Sequence, residues 1–246
     1  MNHLKYIFFI LYFLFSTILA DDSALLDQAS SYYKEAQYND ALQIYETLHT
    51  QFPNNIDILY NLGNAHFKLD NNGYAIGYYL KALQWNPSDS DIRYNLSLAR
   101  NLVQQESTQA SSILYNILGW LRFLSINVSF NIMLCCLLIF LTILRLIQLK
   151  KFNKELLTNI LVIFGLCFVV SFSIFSYHYA QYTQEKGVVI LKKVAVYSGP
   201  SETLSVLFYI HEGYEFIINK TAGDWVEIEL SNGFKGWVPV SGLFLL

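Results

Sequence analysis

Asp57-Ile58-Leu59-Tyr60-Asn61-Leu62 returns as Asp91-Ile92-Arg93-Tyr94-Asn95-Leu96, with Arg93 as the single change and an offset of 34 residues. The same offset of 34 relates Pro53 to Pro87, Ala41 to Ala75 and Tyr45 to Tyr79. Self-similarity at this period marks stacked helix-turn-helix units, each of which buries its apolar face only against a neighbour. The pattern runs from Asp22 to about Gln105, and its third copy stops after one helix. Along the segment from Leu59 to Phe67, small Gly63 predicts a close approach by the paired helix. Ala75, Tyr79 and Ala82 continue the pattern on the second helix, and Pro87 ends it, because proline cannot donate to the preceding turn and clashes with it.

These residues resemble the tetratricopeptide family. The first repeat departs from the family pattern at Ala29, where glycine is usual, and at Leu48, where alanine is usual. The resemblance implies that the first helices of successive repeats line a concave groove for peptide segments. Carried onto this chain, the groove comprises Tyr33, Lys34, Tyr60, Asn64, Phe67, Lys68, Tyr94 and Leu98. Tyr60 and Tyr94 fit equally well as half-buried packing residues. Some members clamp a terminal carboxylate with Lys and Asn, but the first helices here bear Asp57 and Asp91, so that clamp is not expected. His66 stands where the family usually carries an aromatic, and so reads as packing and not as a base.

Outward from the repeats the chain turns apolar. Leu124–Leu144 and Leu156–Tyr177 contain no charge, and each has roughly the 20 residues an α-helix needs to cross a hydrocarbon core of about 30 Å. Between them, Arg145, Lys150, Lys151 and Lys154 face only Glu155, and short basic loops stay on the cytoplasmic side. At the other end, Lys5, the apolar run Tyr6–Phe15 and Ser16–Ala20 before Asp21 form the three parts of an export signal. Ile18 fits the cleavage pattern imperfectly; cleaved or retained, the segment exports the residues beyond Asp21. Trp120, Phe123, Tyr177, Tyr179 and Tyr182 lie near the outer ends of the spans, where amphipathic rings favour headgroups. Ser125, Asn127, Ser129 and Asn131 are read either as solvated at that end or as polar contacts to a partner helix. Cys135, Cys136 and Cys167 all fall in apolar runs and are read as small buried hydrophobes.

After Tyr182 the period becomes two. Trp225-Val226-Glu227-Ile228-Glu229-Leu230 alternates its faces, Ser231-Asn232-Gly233 supplies a tight turn, and Phe234-Lys235-Gly236-Trp237-Val238 returns, which predicts a hairpin. With Val194–Ser201, Glu212-Gly213 and Pro239, this order resembles bacterial SH3-like domains. The resemblance implies an aromatic groove of Tyr197, Trp225 and Pro239 for extended peptides. The late tyrosine that normally completes such a groove is missing, and Gly242 lies near its place. Trp225 and Trp237 are read as core or rim residues of the barrel in preference to ligand contacts.

Only 14% of the chain is charged and 54% is apolar, against about a quarter charged in an ordinary soluble domain. Residues 21–110 carry five Lys or Arg against eleven Asp or Glu, and residues 184–246 carry five against seven. Acidic modules are poor nucleic-acid partners. No phosphate loop, dinucleotide turn, zincin motif or nucleophile elbow is present, and the five histidines are scattered. Neither catalysis, nor a metal, nor a cofactor is expected.

The expected fold is multidomain: an all-α tetratricopeptide solenoid, a two-helix transmembrane hairpin and a small all-β SH3-like barrel. The boundaries read as a signal peptide over 1–20, two repeats plus a capping helix over 21–108 and an interfacial helix over 109–123. Transmembrane helices over 124–145 and 156–178 flank a cytoplasmic loop over 146–155, and the barrel takes 184–246. This order resembles the BatE-type proteins of the Bacteroides aerotolerance operon. That resemblance implies an inner-membrane scaffold with both folded domains periplasmic. Its partners would be von Willebrand factor A-domain membrane proteins, in a complex serving aerotolerance or envelope stress. The alternative is an envelope sensor or peptidoglycan-binding protein that acts through the barrel.

Overall fold

The structure, a computed structural model, describes residues 23–103, 124–149 and 153–246. The signal segment, the expected interfacial helix over 109–123, and Lys150 and Lys151 of the basic loop lie outside the described residues.

Five helices form the repeat region: α1 over 23–34, α2 (Tyr38–Gln51), α3 (Ile56–Lys68), α4 (Asn72–Trp85) and α5 (Ser90–Leu102). The period of 34 also governs where they start and stop. Asn55 caps α3 by accepting from the Asp57 and Ile58 amides, and Asp89 caps α5 in the same way through Asp91 and Ile92. Ala36 and Asp70, likewise one repeat apart, take left-handed φ values of 62° and 59° at the ends of α1 and α3. There the Gln37 amide reaches the Tyr32 carbonyl at 2.9 Å and the Asn71 amide reaches that of His66 at 3.0 Å, closing both helices in the same way. One buried cluster gathers Ala29, Ala41, Tyr45, Leu48, Ile58, Leu62 and Ala65, and a second gathers Leu59, Ala75, Ile76, Tyr79, Ala82, Ile92, Leu96 and Ala99. Gly63 lies under the Tyr79 ring, which an added Cβ would meet at 2.5 Å.

The carboxy-terminal region is a seven-stranded antiparallel sheet made of β1 (Lys186–Val189), β2 (Lys193–Tyr197), β3 (Val206–His211), β4 (Glu215–Ala222), β5 (Trp225–Leu230), β6 (Lys235–Pro239) and β7 (Leu243–Leu245). The order is β3-β2-β6-β5-β4-β1-β7, with a short 3-10 turn at Val240–Gly242 before β7. Its core is filled by alternate inward residues, among them Val194, Val196, Ile210, Phe216, Val226, Ile228 and Val238. The hairpin expected at Ser231–Gly233 forms as read: Glu229 pairs with Lys235, and Gly233 takes a φ of 84° that a side chain would oppose.

Solenoid and barrel belong to one compact unit, which no repeat or alternation in the sequence announced. The seam runs along α4, where Phe244 of β7 packs edge-on against Tyr74 and Tyr78. Val188 of β1 is fully buried in the second solenoid cluster. Gly77 makes room for the Phe244 ring, which a Cβ would meet at 2.6 Å, and Gly73 lies against the Val189 carbonyl. Glu212, only 7% exposed, accepts from the Gly73 amide at 2.9 Å and pairs with Lys192. Arg100 of α5 holds Glu215 through two bonds of 2.6 and 2.8 Å. A short repeat array must end on a cap, and here the barrel covers the face of α4 that bears Gly73, Tyr74, Gly77 and Tyr78.

The second unit contains two helices long and apolar enough to cross a membrane, α6 (Ile126–Gln148) and α7 (Lys154–Thr183). They pack as a hairpin, with Phe130 and Phe175 at 5.6 Å and Phe140 beside Gly165. Of the polar residues near the start of α6, Ser125 is the cap, accepting from the Val128 amide, and Ser129 is buried and donates to the Ser125 carbonyl. Asn127 and Asn131 are exposed. Protein leaves Cys135 and Cys167 uncovered on the helix surfaces and half covers Cys136, and all three are free thiols. In a two-helix hairpin most of each helix has no protein neighbour to cover it.

Two substitutions at glycines test this packing in the full-length protein in detergent. Gly63→Leu forces a side chain into the Tyr79 ring and lowers stability by about 1–3 kcal/mol or more, read as a lower denaturant midpoint. Gly77→Leu pushes Phe244 off α4, and intrinsic tryptophan fluorescence then shows the barrel unfolding ahead of the solenoid instead of with it.

Candidate functional site

The first helices of the repeats, α1, α3 and α5, carry the candidate groove. On α3, Asp57, Tyr60, Asn64 and Lys68 succeed one another at helical spacing along one stripe, and on α5 Asp91, Tyr94 and Leu98 repeat it. A hydrogen-bond network joins the two helices. Asn95 Nδ2 donates to Tyr60 Oη at 3.0 Å and to Asn64 Oδ1 at 2.9 Å, and Tyr79 Oη donates to the same Asn64 oxygen at 2.7 Å. Tyr79 is fully buried, and that burial raises its phenol pKa, so its hydroxyl needs an acceptor inside the protein.

The eight candidate residues therefore divide. Lys34, Lys68 and Tyr94 are exposed, with Tyr94 at 64%, whereas Tyr33, Tyr60, Asn64, Phe67 and Leu98 are half-buried. Tyr33 packs edge-on against Tyr38 at 5.2 Å, and partial burial raises its pKa. Phe67 rests on the second solenoid cluster. Tyr60 and Asn64 hold the network together and Tyr94 does not. Asn95, which ties α5 to α3, was missed by sequence reasoning. Its signal was its place beside Tyr94 in the repeated hexapeptide, but only the packing of α5 against α3 directs it to Asn64.

On the barrel, Tyr197 and Trp225 meet edge-on at 5.4 Å. Tyr197 pairs with Trp237 across β2 and β6, and Trp225 pairs with Pro239 across β5 and β6, so the four share the outward face. Both tryptophans are half-buried and absent from the core cluster, which makes them rim and not core residues. Gly242 is buried against Leu191 and Val194, so the wall that the late tyrosine would supply is not replaced there. Among the outward carboxylates, Glu227 pairs with Lys220 at 3.3 Å, and Glu229 has its pKa lowered by hydrogen bonds from Asn219 and Lys235.

Among the described residues no three His, Cys, Asp or Glu side chains lie together in a way that could hold a metal ion. His66 packs as the sequence implied, stacked on Tyr74 and Tyr78.

Two families match parts of the chain. The family described as Tetratricopeptide repeat matches residues 32–93, and the family described as Bacterial SH3 domain matches residues 192–243. A Bacillus subtilis protein named putative N-acetylmuramoyl-L-alanine amidase YrvJ is 36% identical over 55 residues, which is 22% of this chain and 11% of that protein. The chain thus spans about a tenth of the length of that curated relative. Among solved structures, the Sgt2 TPR domain from Aspergillus fumigatus is 21% identical at a TM-score of 0.32, covering 33% of this chain and 54% of that one. The first TPR of Spaghetti (RPAP3), bound to an HSP90 peptide, is 18% identical at 0.33, covering 60% and 93%. The chain carries tetratricopeptide-type repeats, two apolar helices and a bacterial SH3 domain. Both folded modules are of non-catalytic, interaction-bearing kinds.

The two halves of the groove separate by mutation. Asn64→Ala leaves the buried Tyr79 hydroxyl without its acceptor and lowers stability by about 1–3 kcal/mol, whereas Tyr94→Ala stays within about 0.5 kcal/mol of the parent. Chemical denaturation of the two variants side by side reads the difference.

Proposed function

We propose that this chain is a membrane-anchored adaptor of the cell envelope whose repeat groove binds a peptide segment of a protein partner. The observation that carries the reading is the division of the groove: a Tyr60–Asn95–Asn64 network ties α3 to α5, the helices that bear exposed Lys68 and Tyr94, while exposed Lys34 lies on α1. Binding energy concentrates on aromatic anchors held by a rigid frame. In this reading α6 and α7 are the two membrane spans, with Arg145 and Lys154 on the cytoplasmic side. The chain leaves the solenoid–barrel unit before α6 and rejoins it after α7, which is what a two-span hairpin with both modules on the outer side requires. The order of modules resembles that of BatE-type proteins, and that likeness supports a role in a periplasmic complex with von Willebrand factor A-domain membrane proteins, serving aerotolerance or envelope stress.

A second reading rests on the Bacillus subtilis relative, whose name is that of an N-acetylmuramoyl-L-alanine amidase. In it, the outward Tyr197, Trp225, Trp237 and Pro239 bind cell-wall peptide. The two readings part in co-purification from solubilised membranes. Tyr94→Ala with Lys34→Ala and Lys68→Ala releases the partner at unchanged helicity; these positions are chosen because Tyr60 and Asn64 also support the fold. Trp225→Ala with Trp237→Ala retains the partner. The opposite pattern, together with wild-type protein sedimenting with isolated peptidoglycan, assigns recognition to the barrel.

Topology has its own test in a background lacking Cys135, Cys136 and Cys167. Single cysteines at Asn54 and Ser231 react with an impermeant maleimide in spheroplasts, and one at Asn153 reacts only after lysis. Labelling of Asn153 from outside overturns the orientation.

A further inference from the structure

We propose that the aromatic stack of His49, His66, Tyr74 and Tyr78 is an acid-sensitive latch that holds the barrel on the solenoid. His66 is 5% exposed and stacks on Tyr74 at 4.8 Å and 14° and on Tyr78 at 5.4 Å and 11°. The same two tyrosines receive Phe244 of the barrel, at 6.2 and 4.8 Å, so one imidazole backs both rings on which β7 rests. His49 of α2 meets Tyr78 edge-on at 5.8 Å. Among the described residues, neither nitrogen of His66, nor Nδ1 of His49, has a hydrogen-bond partner.

A proton on His66 would create a buried cation with two N–H donors and no acceptor, an arrangement that proteins avoid by opening to water. The charged groups around the stack do not supply a counter-ion. On its own helix and turn stand Lys68 and Asp70, both exposed. From α2 come His49 and Glu46, and from α4 come the two tyrosines and Lys81. Glu46 acts on Tyr78, and Lys81 on His49, whose pKa is lowered by burial first and by that lysine second. At this place the barrel presents apolar Phe244, while its carboxylates are engaged elsewhere, Glu212 with Gly73 and Lys192 and Glu215 with Arg100. The tyrosine faces attract a cation, yet burial still holds the His66 pKa down to about 4 from 6.5.

Proton linkage sets the sign. The docked form binds fewer protons than the opened form between those two values, so docking is at full strength above about pH 6.5 and weakens as pH falls toward 4. Protonation parts Tyr74 and Tyr78 to admit water, and Phe244 loses its seat.

Hydrogen exchange of the full-length protein in nanodiscs, at pH 7.5, 6.0 and 5.0 and corrected for the intrinsic exchange rate, tests the latch. In wild type, protection at residues 243–245 and 72–79 falls at least tenfold between pH 7.5 and 5.0, while residues 226–228 and 92–96 keep theirs. His66→Phe, and His66→Leu should the first variant fold poorly, retain protection at pH 5.0. Phe244→Ala loses it already at pH 7.5. Wild type that stays protected at pH 5.0, a His66 variant that opens at the wild-type pH, or simultaneous loss at 226–228 and 92–96 overturns the proposal.

Discussion

The contact on which the solenoid–barrel unit depends is the seating of β1 and β7 on α4. A solenoid of two repeats and one further helix leaves an apolar face of α4 with no further repeat to cover it, since each unit relies on a neighbour. Phe244 and Val188 provide that neighbour, and burying a side chain of this kind contributes about 1.5–3 kcal/mol. Two features make the fit possible. Gly73 and Gly77, one turn apart on α4, let strand backbone and an aromatic ring approach to contact distance. Glu212 then satisfies the Gly73 amide from within the seam and is itself neutralised by Lys192. Lys192 itself is largely exposed; removing Glu212 leaves the buried Gly73 amide without its acceptor, which costs about 1–3 kcal/mol. The seam is therefore specific as well as apolar.

That seam changes how both modules are understood. The barrel is a structural cap in addition to any ligand-binding role, so deleting it to test recognition would also strip the solenoid of its end. The groove, in turn, is a layered surface. Tyr60 and Asn64 look like ligand contacts by their spacing, but in the structure they join Asn95 in linking α3 to α5, and Asn64 supplies the acceptor for Tyr79. Of the candidate groove residues, Tyr94, Lys34 and Lys68 are the exposed ones.

The sequence by itself determined whatever depends on local periodicity. Helix-turn-helix units arise from the offset of 34, and the same offset carries features that were legible but unread, the caps Asn55 and Asp89 and the left-handed pair Ala36 and Asp70. The hairpin at Ser231–Gly233 comes from alternation on either side of a glycine, and the two apolar helices come from uncharged length. Each of these signals is written in neighbouring residues, because hydrogen bonding and side-chain direction repeat with the backbone. Tertiary structure alone decided the rest. Phe244, Val188 and Glu212 belong to segments far along the chain from α4, and no period relates them to Gly73 and Gly77. Whether Asn64 faces a ligand or a buried hydroxyl depends on Tyr79, fifteen positions away on another helix. Contacts of that kind are set by how elements pack, and packing has no repeat along the chain from which to read it.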